Sequence, residues 1–170
     1  MSSRDDERWG PGARVLALVG CVGLAGCGND FTEDVERAQS AWKAKRPADY
    51  VFVYKQPCFC LSSHIAPVRV TVTGGKILAA TFADGTVAPD ERRKTIDDLY
   101  DDAHAWAAGD PDEFHLATNP EFAYPTTVSV DEKKSTADDE FGISVDCFAA
   151  STSDDACPLA DIEWPLPLAD

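Results

Sequence analysis

Basic residues are scarce. Lys and Arg together number 15 against 30 Asp and Glu, a net charge of −15 with a pI near 4.4, and so acidic a chain opposes binding to nucleic acid phosphates or to an anionic bilayer through surface charge. No apolar run reaches the ~18 residues that a membrane-crossing helix needs. Also missing are a glycine-rich turn inside a βαβ unit, a G-x-S-x-G elbow and the spacing of an EF-hand loop, which removes the sequence signatures of a dinucleotide fold, an α/β-hydrolase and an EF-hand calcium site. With 11 Gly, 11 Pro and 26% charged residues, collagen-like, coiled-coil and fully disordered classes are excluded as well. What remains is one domain of ordinary composition, without a catalytic signature.

The longest apolar run, Val15 to Gly26, follows Arg14 directly. It is too short to span a bilayer and has the length of a signal-peptide core. It ends in Leu24, Ala25, Gly26 and Cys27, which resembles the lipobox of bacterial lipoproteins. That resemblance implies a signal peptide over 1–26, diacylglycerylation of the Cys27 thiol and cleavage before it. The leader carries Arg4, Arg8 and Arg14 against Asp5, Asp6 and Glu7, so its removal leaves the net charge of −15 unchanged. Two or more acyl chains on Cys27 supply the stable anchoring that one chain cannot. Gly28 rather than Asp follows the cysteine, which in the Gram-negative version of this pathway points to the outer membrane, facing the periplasm.

In the mature chain, Asp30 with Glu33 reads as a capping box, and Phe31, Val35, Ala38 and Trp42 recur at helical spacing until Arg46-Pro47 ends the pattern. Alternation at Tyr50, Phe52 and Tyr54 predicts a strand. Val68, Val70 and Val72, joined through Gly74-Gly75 to Lys76–Phe82, predict a tight hairpin. Thr95 with Asp98 caps a second helix whose core face is Ile96, Leu99, Tyr100, Ala103 and Ala107, with Gly109 placed to end it. Three further strands follow, at Phe114–Thr118, Thr126–Val130 and Ile143–Phe148. Two helices and about six antiparallel strands make an α+β two-layer sandwich over 27–148. Residues 149–170 read as an extended or partly disordered acidic, Pro-containing tail, in which Cys157 and Trp164 are the candidates for tying it down.

The string YVFVYKQPCFC, the hairpin PVRVTVTGGKILAATF, the helix TIDDLYDDA, the segment NPEFAYPTTVSVDE and the ADDE before ISV, in that order, resemble domain-of-unknown-function family 6174, uncharacterised bacterial secreted proteins and lipoproteins. The resemblance covers roughly Trp42 to Cys147 and implies export and a small α+β fold. No activity comes with it. Where the family usually has Tyr-Asp-Pro and Gly-Tyr-Pro, this chain has Thr118-Asn119-Pro120 and Ala123-Tyr124-Pro125.

With Cys27 acylated and Cys21 discarded, Cys58, Cys60, Cys147 and Cys157 remain, an even number suited to disulfides in an oxidising compartment. Cys58 and Cys60 on a flat strand would lie ~6.6 Å apart at Cα, the upper edge of the disulfide range, so a bridge between them needs a turn, which Pro57 permits. The short polar connection favours Cys147 with Cys157, leaving Cys58 to Cys60; the crossed pairings stay open. Two other uses compete. Cys58, Cys60 and His64 could hold zinc or cuprous ion, and a strained C-x-C bridge could serve redox chemistry. Carboxylates cluster at Asp97, Asp98, Asp101 and Asp102, at Asp110, Asp112 and Glu113, and at Asp138, Asp139 and Glu140, where solvated surface is the simplest reading. His104 and His115 lack a partner nucleophile in any recognisable motif, and Trp42, Trp106, Tyr50, Phe52 and Tyr54 sit at core spacing. The expectation is a membrane-anchored lipoprotein without cofactor or nucleic acid partner, non-enzymatic, whose acidic face engages an envelope component. A thiol redox or metal-handling protein using Cys58 and Cys60 is the alternative.

Overall fold

The apolar stripe from Phe31 to Trp42 becomes helix α1 (Phe31–Lys45) in the computed structural model, which describes residues 31–58, 65–136, 139–153 and 155–159. Glu33 and Asp34 occupy its first turn and Lys43 and Lys45 its last, each charge sign facing the favourable end of the helix dipole. Asp30, expected as its cap, lies outside the described residues. Strands β1 (Tyr50–Lys55), β2 (Val68–Thr73) and β3 (Lys76–Thr81) follow, then a short 3₁₀ turn at Asp90–Arg92 and helix α2 (Ile96–Ala107). The second half closes with β4 (Glu113–Thr118), β5 (Pro125–Asp131) and β6 (Glu140–Ala149). All six strands form one antiparallel sheet in the order β3-β2-β1-β6-β5-β4, an α+β arrangement. No helix among the described residues is long and apolar enough to cross a membrane.

Helices α1 and α2 pack on one face of this sheet. Val35 and Trp42 from α1 and Ile96, Leu99, Tyr100 and Ala103 from α2 are sealed against Tyr50, Phe52, Tyr54, Val68, Val70, Val72, Val128 and Ile143. The Trp42 indole stands edge-on to the rings of Tyr50 and Phe148 at 5.5 and 5.9 Å, a favoured aromatic geometry. Between β2 and β3, Gly74 and Gly75 take φ of 57° and 74°, which a two-residue hairpin of this twist requires and which glycine adopts without steric cost. Helix α2 begins as its sequence dictates: the Thr95 hydroxyl accepts from the Asp98 N–H at 3.2 Å while the Asp98 carboxylate accepts from the Thr95 N–H at 2.7 Å. It ends just before Gly109, as expected, with a difference in local conformation. The last turn tightens so that Gly109 N–H donates to the Trp106 carbonyl at 3.0 Å, and Asp110, not Gly109, takes the left-handed conformation at φ 56°.

The larger departure is behind the sheet. Val51 and Val53 are fully buried although they point away from both helices, because Ala156, Cys157 and Leu159 fold back over them. A disulfide joins Cys147 to Cys157 with Cα atoms 5.5 Å apart, and the Arg69 guanidinium donates to the carbonyls of Ser153 at 3.2 Å and Ala156 at 3.1 Å. The tail up to residue 159 is therefore a partial third layer; Trp164 lies outside the described residues.

At Gly142 the backbone of β5 passes so close that a Cβ there would sit 2.0 Å from the Val128 carbonyl oxygen. Its N–H donates to the Pro57 carbonyl at 3.0 Å, so the residue is held from both sides. Gly142→Ala is expected to destabilise by about 2–3 kcal/mol, the upper part of the range for inserting a methyl into filled space, because the clash is with backbone. Denaturant unfolding measures it, and a loss below ~0.5 kcal/mol would mean the strands spread at little cost.

Candidate functional site

Of the sequence-level candidates, Cys27, Cys60 and His64 lie outside the described residues, as does Asp138. Cys58 sits just beyond β1, in an isolated antiparallel bridge with Phe141, and its sulfur is disulfide-bonded. Because Cys147 and Cys157 are joined to each other, the partner of Cys58 also lies outside the described residues. A sulfur held in a disulfide is not a thiolate ligand, and no group of three His, Cys, Asp or Glu suited to a metal ion occurs among the described residues.

The helix carboxylates are spent on structure. Asp97 accepts from Arg46 at 2.6 Å and from the Trp42 indole at 3.3 Å. Asp98 caps its helix, Asp101 accepts from Gln39 at 2.9 Å, and Asp102 pairs with Lys94 at 2.5 Å. These bonds tie α2 to α1 and to the turn before it. His104 meets Glu36 at 3.4 Å on the exposed helix surface.

The segment NPEFAYP is likewise a structural latch. The Asn119 side-chain oxygen accepts from the N–H groups of Glu121 and Phe122 at 2.9 and 3.0 Å, an Asx turn that an aspartate would make equally well. Ala123 stands at φ 62°, a conformation glycine adopts more cheaply. It is held there by the Tyr100 hydroxyl, which donates to its carbonyl at 2.5 Å, while Tyr124 stacks on Phe148 at 4.5 Å. Asn119 and Ala123 thus hold this turn without an aspartate or a glycine at either position.

The remaining acidic clusters converge. Register places Glu113 opposite Asp131 and Asp131 opposite Glu140, so three carboxylates from β4, β5 and β6 share one face in a single row at the end of the sheet. Directly opposed like charges destabilise a sheet. One oxygen of Asp131 is buried with no hydrogen-bond partner among the described residues, and Lys134 compensates only in part, pairing with Glu113 at 2.8 Å. That pairing raises the Lys134 pKa, the Glu113 hydrogen bond being the main cause. One residue along each strand, Phe114, Val130 and Phe141 form the next row, on the helix side. A cavity of about 690 Å³ runs round this end of the sheet; both rows line it, together with Phe31 at the start of α1, Cys58 and His115. Its volume falls in the range of ligand-binding clefts. Asp131 belonged to none of the clusters seen in the sequence. It ends its strand as Glu113 and Glu140 begin theirs, and only the hairpin register brings the three together.

No curated protein and no solved structure matches the chain. The model of a family of unknown function, DUF6174, matches residues 34–150, from the first turns of α1 to just past the end of β6. The match takes in the aromatic β1, the glycine hairpin, the capped α2, the Asn119 latch and the strands of the carboxylate row, and the chain belongs to that family.

Proposed function

We propose that this protein is a lipid-anchored, non-enzymatic binding module, tethered to a membrane through Cys27, processed from a precursor by loss of 1–26, and taking its ligand in the cavity at the end of the sheet. The observation that carries this reading is the cavity itself, whose acidic and apolar walls are formed by opposite faces of the same three strands. Phe31 stands on its wall, and the chain from Cys27 to Phe31 reaches at most ~14 Å when extended. The mouth of the cavity therefore rides close to the lipid surface, where an outer-membrane location would turn it towards the periplasm and an envelope component.

Lipidation requires the Cys27 thiol, so Cys27→Ser should move the protein from the membrane to the soluble fraction, or leave it unprocessed, and abolish labelling by a fatty acid analogue. Labelling and fractionation identical to the wild type would refute the anchor. The second reading, a thiol redox or metal-handling protein built on Cys58 and Cys60, draws on the presence of Cys58 in the cavity wall. Counting free thiols and bound metal on the purified chain separates the two. Zero thiols and no metal support the binding module, whereas thiols that take up metal support its rival.

A further inference from the structure

Resting on the reading of the cavity as a binding site, we propose that its occupant is a small organic cation, an amine carried on an apolar body. The charge at the mouth is strongly one-sided. Asp112, Glu113, Asp131 and Glu140 line it, and Lys134 beside them is paired with Glu113 through a side chain that is 59% exposed. The fold relieves this charge less completely than it does elsewhere: the carboxylates of α2 are capped or paired, and here Glu113 pairs with Lys134 and Asp112 accepts the Lys134 N–H, but Asp131 and Glu140 stand opposite each other with a buried Asp131 oxygen left unpartnered among the described residues. Local arrangements that oppose stability mark positions retained for function. An ammonium seated on the row would neutralise the repulsion and supply the missing donor.

The second wall selects what carries the ammonium. Phe31 and Phe114 pack at 5.5 Å, and Phe141 meets Trp106 edge-on at 5.0 Å. These rings offer apolar and cation-attracting faces one residue along each strand from the carboxylates. A bare metal ion would leave that wall unused. A basic protein surface would meet the carboxylates only at the mouth, whereas a recess of about 690 Å³ has the volume of a small-molecule cleft.

Calorimetric titration of the purified full chain with 4-phenylbutylammonium, the isosteric alcohol 4-phenylbutanol, calcium and oligolysine tests this. Saturable 1:1 binding of the amine is expected, at least about tenfold tighter than the alcohol and weakening as salt is added. Asp131→Asn should weaken it about tenfold while raising the thermal midpoint of the free protein, since it relieves the like-charge row. The exposed change Lys134→Gln, which endangers no packing, should strengthen it several-fold by freeing Glu113. Equal affinity for amine and alcohol would overturn the cationic class and leave the cavity a binding site. Calcium or oligolysine binding in place of the amine would overturn the small organic cation, and silence towards all four probes would overturn both the inference and the binding module on which it rests.

Discussion

Raising the pH from 10 towards 12 is expected to unfold this domain, with a loss of about 5 kcal/mol across that window. All four tyrosines of the chain have pKa values raised by burial. Tyr50 and Tyr54, which are 2% and 0% exposed, are pushed up to about 12, mainly because the phenolate would lose its water. The acid form is the neutral one here, so a raised folded pKa means that the unfolded chain ionises first. The stabilisation is complete below pH 10, the unfolded value, and is lost as pH rises through the folded value, at about 1.4 kcal/mol per pH unit for each group. Two such groups over two units remove an amount comparable to the whole stability of a small domain. Tyrosinate absorbance should rise cooperatively and in step with the loss of far-ultraviolet dichroism. Tyr54→Phe should widen the alkaline range while costing about 1 kcal/mol at neutral pH, because the Tyr54 hydroxyl donates to the Arg92 carbonyl at 2.7 Å. Ionisation of Tyr50 and Tyr54 near pH 10 with the fold intact would refute the account.

Removing the Cys147–Cys157 disulfide as Cys147→Ser with Cys157→Ser should cost about 4 kcal/mol. Loop closure across a sequence separation of 10 accounts for roughly 2–3 kcal/mol through the unfolded state. The rest comes from the sheet: a freed tail uncovers Val51 and Val53, now 0% exposed, and partial exposure of two valines costs about 1–2 kcal/mol. Arg69→Ala cuts the other tie, to the carbonyls of Ser153 and Ala156. Since both changes act through the same segment, the triple variant should lose less than the sum of the parts. Chemical denaturation gives the energies, and amide exchange over 151–159 shows whether the tail has left. A loss under 1 kcal/mol with that protection unchanged would reduce the disulfide to an ornament on a tail that packs unaided.

Elements governed by local periodicity could be read without coordinates. Both helices, the Gly74-Gly75 turn and the Thr95 box follow from residues within one turn of each other, as did the alternation that identifies β1 and β2. Features that arise between distant segments were not legible. The burial pattern of β1 is continuous, which periodicity alone reads as one covered face, and the cover on the second face comes from a tail a hundred positions later. Gly142 looked like any glycine in a strand, because its need for a hydrogen side chain is set by the Val128 carbonyl. The carboxylate row depended on register, to which spacing along the chain is blind. Ala123 shows the converse: an alanine gives no sign in the sequence of a left-handed position that a glycine would have announced.

The strand order has a consequence for synthesis. β1 lies in the middle of the sheet, paired on one side with β2, which follows it closely, and on the other with β6, the last of the described strands. A chain emerging from its N-terminus builds the β1-β2-β3 meander early and then carries an open β1 edge, whose residues Tyr50 to Tyr54 are all buried in the finished fold, until nearly the whole domain has been made. The step that completes the sheet is thus the most non-local one, and contacts so distant in sequence slow folding. Truncation anywhere before β6 leaves that edge permanently bare, so shortened chains of this protein should aggregate rather than persist as a half-sheet.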